Sequence, residues 1–214
     1  MFLTRAQSAG RGTRGRSFES PEDGGLYLSL LLYPNIHARD SHLLTCAAAV
    51  AVCRVIEREC PNVTPMIKWV NDVYVGCGKL CGILTEGECT EDGRLRYAVI
   101  GIGINVKKSN HSPEVEAIMT SLEGEGCEAD VPRLAAELVG ELISLTSGID
   151  VLDEYRDRSM LIGREVEISH GGEVTVERVV DIDRECALIT VGEDGSTKRY
   201  ISGDVRIRPK REDS

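Results

Sequence analysis

No apolar stretch in the 214 residues approaches the roughly 18 residues that would suggest a membrane span. Residues 1–20 carry four arginines and no apolar h-region, so a secretory signal is not expected. No His or Cys pair stands at zinc-finger spacing, which leaves the eight cysteines without a metal motif. They are expected to be reduced thiols acting as small buried hydrophobes. The glycine-rich Walker A pattern is missing, and no internal repeat is apparent. Net positive charge is also lacking. The formal charge of -10 argues against general affinity for nucleic acid. These absences leave a globular chain with the cytoplasm as its expected compartment.

A hydrophobic content of 42% and a charged content of 28% suit one sizeable core, or a main domain with a small appendage. Charge is unevenly spread. Residues 1–20 hold Arg5, Arg11, Arg14 and Arg16 against Glu19, giving +3, while the remainder carries -13. A local basic site in an acidic protein suggests a discrete anion, such as a nucleotide phosphate.

Tyr27–Leu32 follows a Gly-Gly turn signal and reads as a buried strand. Ser41–Cys60, rich in alanine and leucine, starts at the candidate cap Ser41 and stops before Pro61, as a core helix would. Met66–Trp69, Tyr74–Val75, Lys79–Glu86 and Arg96–Ile102 look like successive strands of one antiparallel or mixed sheet. A helical segment is expected from Pro113 to Leu122, then helices at Val131–Thr146 and Val151–Leu161, separated by Ser147-Gly148. Five short β-like runs follow, 165–169, 173–182, 186–191, 197–201 and 204–208, of the size of a small closed SH3-like barrel. The expected fold is therefore α+β to about residue 161, then a small β domain.

Three constellations carry chemistry. In Gly10-Arg11-Gly12-Thr13-Arg14-Gly15-Arg16, glycines free the backbone to approach a ligand and arginines supply forked donors for phosphate or carboxylate. The alternative for that run alone is a solvated basic loop or an RNA-binding RG segment. In Met66-Ile67-Lys68-Trp69-Val70-Asn71-Asp72, a lysine at a strand end turns its ammonium to the surface, to a carboxylate or into a pocket. Gly82, inside the run opened by Lys79, suggests a bulge or a ligand's close approach. Gly101-Ile102-Gly103-Ile104-Asn105 looks like the start of a dinucleotide fingerprint but lacks its third glycine and helix.

Taken in order, AQSAGRGTRGRSF, KWVNDVYV, GKLCGILTE and GIGINV closely resemble the serial motifs of bacterial biotin protein ligases. The resemblance runs over nearly the whole chain. It implies a class II synthetase-like mixed sheet packed with helices (1–161) and an SH3-like C-terminal domain (162–210). It also implies ATP, Mg²⁺ and biotin as reactants, and a lysine of a biotin carboxyl carrier protein as acceptor. By motif position, Arg11, Arg14 and Arg16 fall in the loop closing over an adenylate, with Gly10 and Gly12 as binding residues of the same loop. Gln7 falls in the biotin site, and Lys68 against the carboxyl and phosphate. Asn71 and Asp72 would shape the nucleotide pocket, Lys79 and Gly82 the biotin pocket, and Gly103 and Asn105 the adenine side. Arg208 would reach ATP.

The chain departs from the family pattern at Thr13, where arginine is common, at Phe18, where tryptophan is usual, and at Val70, which replaces proline. Phe18 can still cover a flat adenine ring. The family's upstream Ser-Thr segment is not present, so a truncated start is expected. So is the absence of operon repression, since no helix-turn-helix precedes the motifs. Pairing into a homodimer through sheet edges is expected near Arg96–Ile102. The remaining rivals are a lipoate- or octanoate-type ligase and a binding protein without turnover.

Overall fold

The computed structural model describes residues 1–146, 150–201 and 204–207. The apolar run after Gly24 forms β2 (Gly25–Leu32), paired on one side with the short β1 (Phe2–Thr4). Next come α1 (His42–Glu59), β3 (Pro65–Lys68), β4 (Asp72–Val75), β5 (Gly78–Cys89) and β6 (Leu95–Asn105). The six strands lie in the order β1-β2-β6-β5-β4-β3, and every ladder between them is antiparallel. Parallel character is confined to the isolated bridges Ile67–Ser159 and Lys79–Met119. β6 is central, with its backbone paired on both sides. Arg96–Ile102 is therefore no sheet edge, and the expected pairing there is corrected.

Helix α1 is all but enclosed. Ala48, Ala49, Val50, Ala51, Val52 and Cys53 are fully buried, because small and β-branched side chains let a strand layer and α3 (Val131–Thr146) approach its two sides. Helix α3 presents Leu134, Leu138, Leu142 and Leu145 to it at helical spacing. Its polar edge is clamped by Arg54, which bonds both Glu154 and Glu141. Ser41, expected as a cap, has helical dihedrals and makes no side-chain cap bond.

Two expected helices are shorter than their sequences suggest. The segment from Pro113 keeps only α2 (Pro113–Glu116), because Lys79 captures the backbone beyond it: Lys79 N–H donates to Ile118 O and Thr120 N–H to Lys79 O. Likewise α4 (Leu152–Asp157) stops where Ile67 pairs with Arg158 and Met160. The Ser147-Gly148 break lies outside the described residues.

The C-terminal strands are β7 (Glu165–His170), β8 (Glu173–Ile182), β9 (Leu188–Gly192), β10 (Thr197–Tyr200) and β11 (Asp204–Ile207). They make one antiparallel sheet, ordered β10-β9-β8-β7-β11, and among the described residues no ladder joins β10 to β11. The expectation of uniformly reduced cysteines needs correction. Cys60 and Cys127 are joined by a disulfide across 67 residues, tying the end of α1 to the approach to α3. Of the six free thiols, Cys46, Cys53, Cys81 and Cys186 are buried, whereas Cys77 and Cys89 are exposed.

Candidate functional site

Strand register builds the site. Lys68 pairs with Asp72, Asp72 with Gly82, Gly82 with Gly103, and Gly103 with Tyr27. Side chains of directly paired residues share a face, so these five form one row across four strand boundaries. The neighbouring row, Ile67, Val73, Cys81, Ile104 and Leu26, points the other way and is fully buried. That second face packs on α1, where Thr45 donates to Thr85 at 2.8 Å. The alternation of GIGIN is thereby explained: its isoleucines fill the core, and its glycines open a trough on the outer face.

A ring already lies in that trough. A Cβ on Gly103 would stand 2.6 Å from Phe18 Cε1, and one on Gly82 2.9 Å from Phe18 Cε2. Neither strand position tolerates a side chain while the ring is there. Phe18 also meets Tyr27 edge-on, at 6.4 Å between ring centroids. The ring is held by its loop. Phe18 N–H donates to Gly10 O at 2.9 Å, and a Cβ on Gly10 would fall 2.2 Å from Phe18 O. Within the loop, Thr13–Gly15 forms a single 3-10 turn that carries Arg14, closed by Gly12 N–H to Arg16 O at 2.7 Å.

A cavity of about 270 Å³ lies between loop and sheet. Of the residues expected from sequence, Gln7, Arg11, Gly12, Arg16, Phe18, Asn71, Asp72, Lys79, Gly82 and Gly103 line it. Lys68 stands at the outer end of the row, with its ammonium 5.2 Å from the centre of the Tyr74 ring. Gly10 supports Phe18 from behind instead of lining the space. Asn105 does not line the cavity either: it is buried, and its amide donates to Lys79 O at 3.2 Å, joining the end of β6 to the start of β5. Arg208 lies outside the described residues. Ser29, Leu84, Glu86, Val99 and Gly101 also line the cavity. None of them was singled out for the site by its residue type, and only the strand register carries them there.

Charges in the site are matched. Lys79 Nζ lies 2.7 Å from Asp72 Oδ1, and Arg11 Nη2 lies 2.6 Å from Glu86 Oε2. Asn71 fixes the β3–β4 turn to β5, donating to Ile83 O at 2.7 Å and accepting from Ile83 N–H at 2.9 Å. Tyr155 O–H donates to Val70 O at 2.8 Å, so the turn keeps an anchor where the family has proline. Burial, reinforced by the Asp72 carboxylate, pushes the Tyr74 hydroxyl up to about 12, so it stays protonated beside Lys68. Both ends of the loop are tied down. Ser20 Oγ donates to Gln7 Oε1 at 2.7 Å, and Ser112 N–H donates to Glu19 Oε2 at 3.0 Å. Hydrogen bonds from Ser112, with His111 beside it, hold the Glu19 carboxyl below its ordinary range.

The arrangement offers a flat seat between two glycine strands, guanidinium and ammonium groups at its rim, and amides at the turn. It suits a ligand with a planar ring and an anionic group. Among the described residues no cluster of three His, Cys, Asp or Glu could hold a metal ion, and no helix is long and apolar enough to cross a membrane.

Comparison with known proteins agrees with that chemistry. Residues 1–105 match the biotin/lipoate A/B protein ligase family, and residues 161–208 match the biotin protein ligase C-terminal domain. The chain is 45% identical over 124 residues to the bifunctional ligase/repressor BirA of Bacillus subtilis, a match spanning 57% of this chain and 38% of that protein. It is 31% identical over 216 residues to the biotin–[acetyl-CoA-carboxylase] ligase of Mycobacterium tuberculosis, covering 96% of this chain and 77% of the relative. Its fold is that of the Aquifex aeolicus biotin protein ligase solved with biotin and ATP, with a TM-score of 0.80, 23% identity, and coverage of 96% and 87%. Matched over 96% of its length by that mycobacterial ligase, and by both family models in turn, the chain belongs to the biotin protein ligase family.

Proposed function

We propose that the chain joins biotin to a lysine of a biotin carboxyl carrier protein, with ATP as the activating reagent. The observation that carries this reading is the Lys68–Asp72–Gly82–Gly103 row with the arginine loop lying across it. In the first half-reaction an oxygen of biotin's carboxylate attacks the α-phosphorus of ATP. Pyrophosphate leaves, and biotinyl-5′-adenylate forms. In the second, the ε-amine of the carrier lysine attacks the acyl carbon, loses a proton, and expels AMP.

Little of this requires covalent participation by the protein, so positioning and charge stabilisation carry the catalysis. Lys68, Arg11 and Arg14 are the proposed catalytic residues, offsetting the negative charge that builds on the α-phosphate and carboxylate. Arg16, Gln7, Gly10, Gly12 and Phe18 close the loop over the intermediate. Asn71, Asp72, Lys79, Gly82, Gly103 and Asn105 shape the walls, and Arg208 is assigned to ATP binding by its place in the motif order alone. Mg²⁺ enters with ATP as the magnesium nucleotide, a substrate.

Residues 1–161 act as the catalytic domain and 162–210 as the C-terminal domain in this scheme. The reaction draws on ATP and therefore belongs in the cytoplasm, and no nucleic acid takes part. A homodimer would join at an outer strand, β1 or β3, because β6 is enclosed.

The test is pyrophosphate release with biotin and magnesium ATP, followed by biotin transfer to a carrier domain. Release with lipoate but not biotin would make this a lipoate-type enzyme, and binding without release would leave a non-catalytic protein. Lys68→Ala is expected to lower adenylate formation by at least about a hundred-fold, as loss of one charge-stabilising group does, with the melting temperature nearly unchanged. Normal adenylate formation by that variant would contradict the assigned role.

A further inference from the structure

Glu86 closes the GKLCGILTE run without a role of its own in the sequence, yet it pairs with Arg11 of the arginine loop. It lies on β5, four positions beyond Gly82 and therefore on the trough face. Its backbone is paired to Val99 in the middle of the sheet, so its Cα is a fixed point. Arg11 is 72% exposed and its loop has little apolar surface to bury, so packing does not hold the guanidinium. The 2.6 Å contact between Arg11 Nη2 and Glu86 Oε2 spans the cavity from loop to sheet, and both residues line that cavity.

We propose that Glu86 is a positioning residue for the anion loop. It orients Arg11 by accepting from one N–H of the guanidinium, leaving the other donors for the phosphate or carboxylate of the bound intermediate. A guanidinium has five such donors in a rigid fork, so one carboxylate contact fixes its plane without consuming its capacity. Glu86 itself touches no reacting atom. The assignment rests on the adenylate-forming reading for its catalytic consequence, but not for the loop geometry.

The loop is tested first without any ligand, by hydrogen exchange at the Gly12 and Phe18 amides, which bond Arg16 O and Gly10 O within the loop. Glu86→Gln and Arg11→Gln should each speed that exchange roughly two- to five-fold, the range an exposed ion pair supports. The double variant should go no further, because the shared contact is already lost. Unchanged exchange, or effects that add, would overturn the proposal.

Steady-state kinetics then separate positioning from mere stability. Glu86→Gln should lower kcat two- to five-fold with KM for ATP little changed, because Arg11 acts on charge that builds in the transition state, and the difference should vanish near 1 M salt as the charges are screened, on the order of a 3 Å Debye length. A fall in KM would mean that Glu86 competes with the ligand for Arg11, which also overturns the assignment. Absence of biotin-dependent pyrophosphate release in the unaltered protein would sink the ligase reading, while the exchange cycle would still decide the role of Glu86.

Discussion

At the scale of single residues, Gly103 and Glu177 show opposite requirements. Gly103 is needed for what it lacks: Phe18 Cε1 would sit 2.6 Å from an added Cβ. Gly103→Ala should displace the ring and cost about 1–3 kcal/mol by overpacking. Ligand affinity should fall more than thermal stability does. Equal affinity by calorimetry would show that the trough is not the seat. Glu177 is needed for its charge. Its side chain is 1% exposed, and it accepts from Lys198, Thr190, Thr175 and Tyr200. Burial acts to raise its pKa, but these bonds outweigh burial and lower it to about 2. Because the folded value lies below the unfolded one near 4.5, the stabilisation is complete above that pH and is lost as pH falls towards 2. The difference corresponds to roughly 3 kcal/mol. Glu177→Gln should therefore lower the melting temperature at pH 7 and flatten its dependence between pH 4.5 and 2. A variant with the same acid profile would refute this.

At the scale of elements, the long helices and most strands were legible, short strands included, whereas the extent of the short helices was not. Helices α1 and α3 follow from apolar spacing within their own sequences, and the structure keeps α3 at Val131–Thr146. The region from Pro113 to Leu122 has helical propensity in its first turn, but Lys79 offers its backbone to Ile118 and Thr120 instead. That competition is set by a residue some forty positions away, which no local pattern contains. The disulfide belongs to this scale as well. Cys60 stood at heptad distance from Cys46 and Cys53 and read as a third buried thiol, but α1 ends at Glu59 and Cys60 turns to meet Cys127, at 5.7 Å between Cα atoms. Closing a 67-residue span removes enough unfolded-state entropy to stabilise by about 4 kcal/mol. Reduction, or Cys127→Ser, should lower the melting temperature by roughly 10 °C in a chain of this size. A midpoint unaffected by reductant would disprove the contribution.

At the scale of the whole molecule, the C-terminal sheet shares one hydrophobic core with the larger domain and is fixed to it by specific polar contacts. Trp69 Nε1 donates to Cys186 O at 2.7 Å, Cys46 and Cys186 bring their sulfurs to 3.0 Å, and Arg156 bonds Asp181 at 2.6 Å. Trp69 follows Lys68 directly, so the turn that carries the site's lysine is also the turn that grips the C-terminal sheet. Trp69→Phe leaves Cys186 O buried and unpaired, at a cost of about 1–3 kcal/mol. Amide exchange in β9 should rise relative to β6 in that variant, and uniform change across both sheets would argue against a specific joint.

The sequence by itself determined the chemistry on offer: an arginine–glycine loop, a strand-end lysine, and glycines alternating with isoleucines. Composition and local periodicity are properties of neighbouring residues, so they survive without a fold. Tertiary structure alone decided that Gly82 and Gly103 are cross-strand partners, that Phe18 lies between them, and that Glu86 meets Arg11. It also decided that Asn105 serves as a clasp between strands and that Cys60 is bonded to Cys127. Each of these depends on strand register or chain reversal across 21 to 85 residues, distances over which side chains meet only after the sheet has formed.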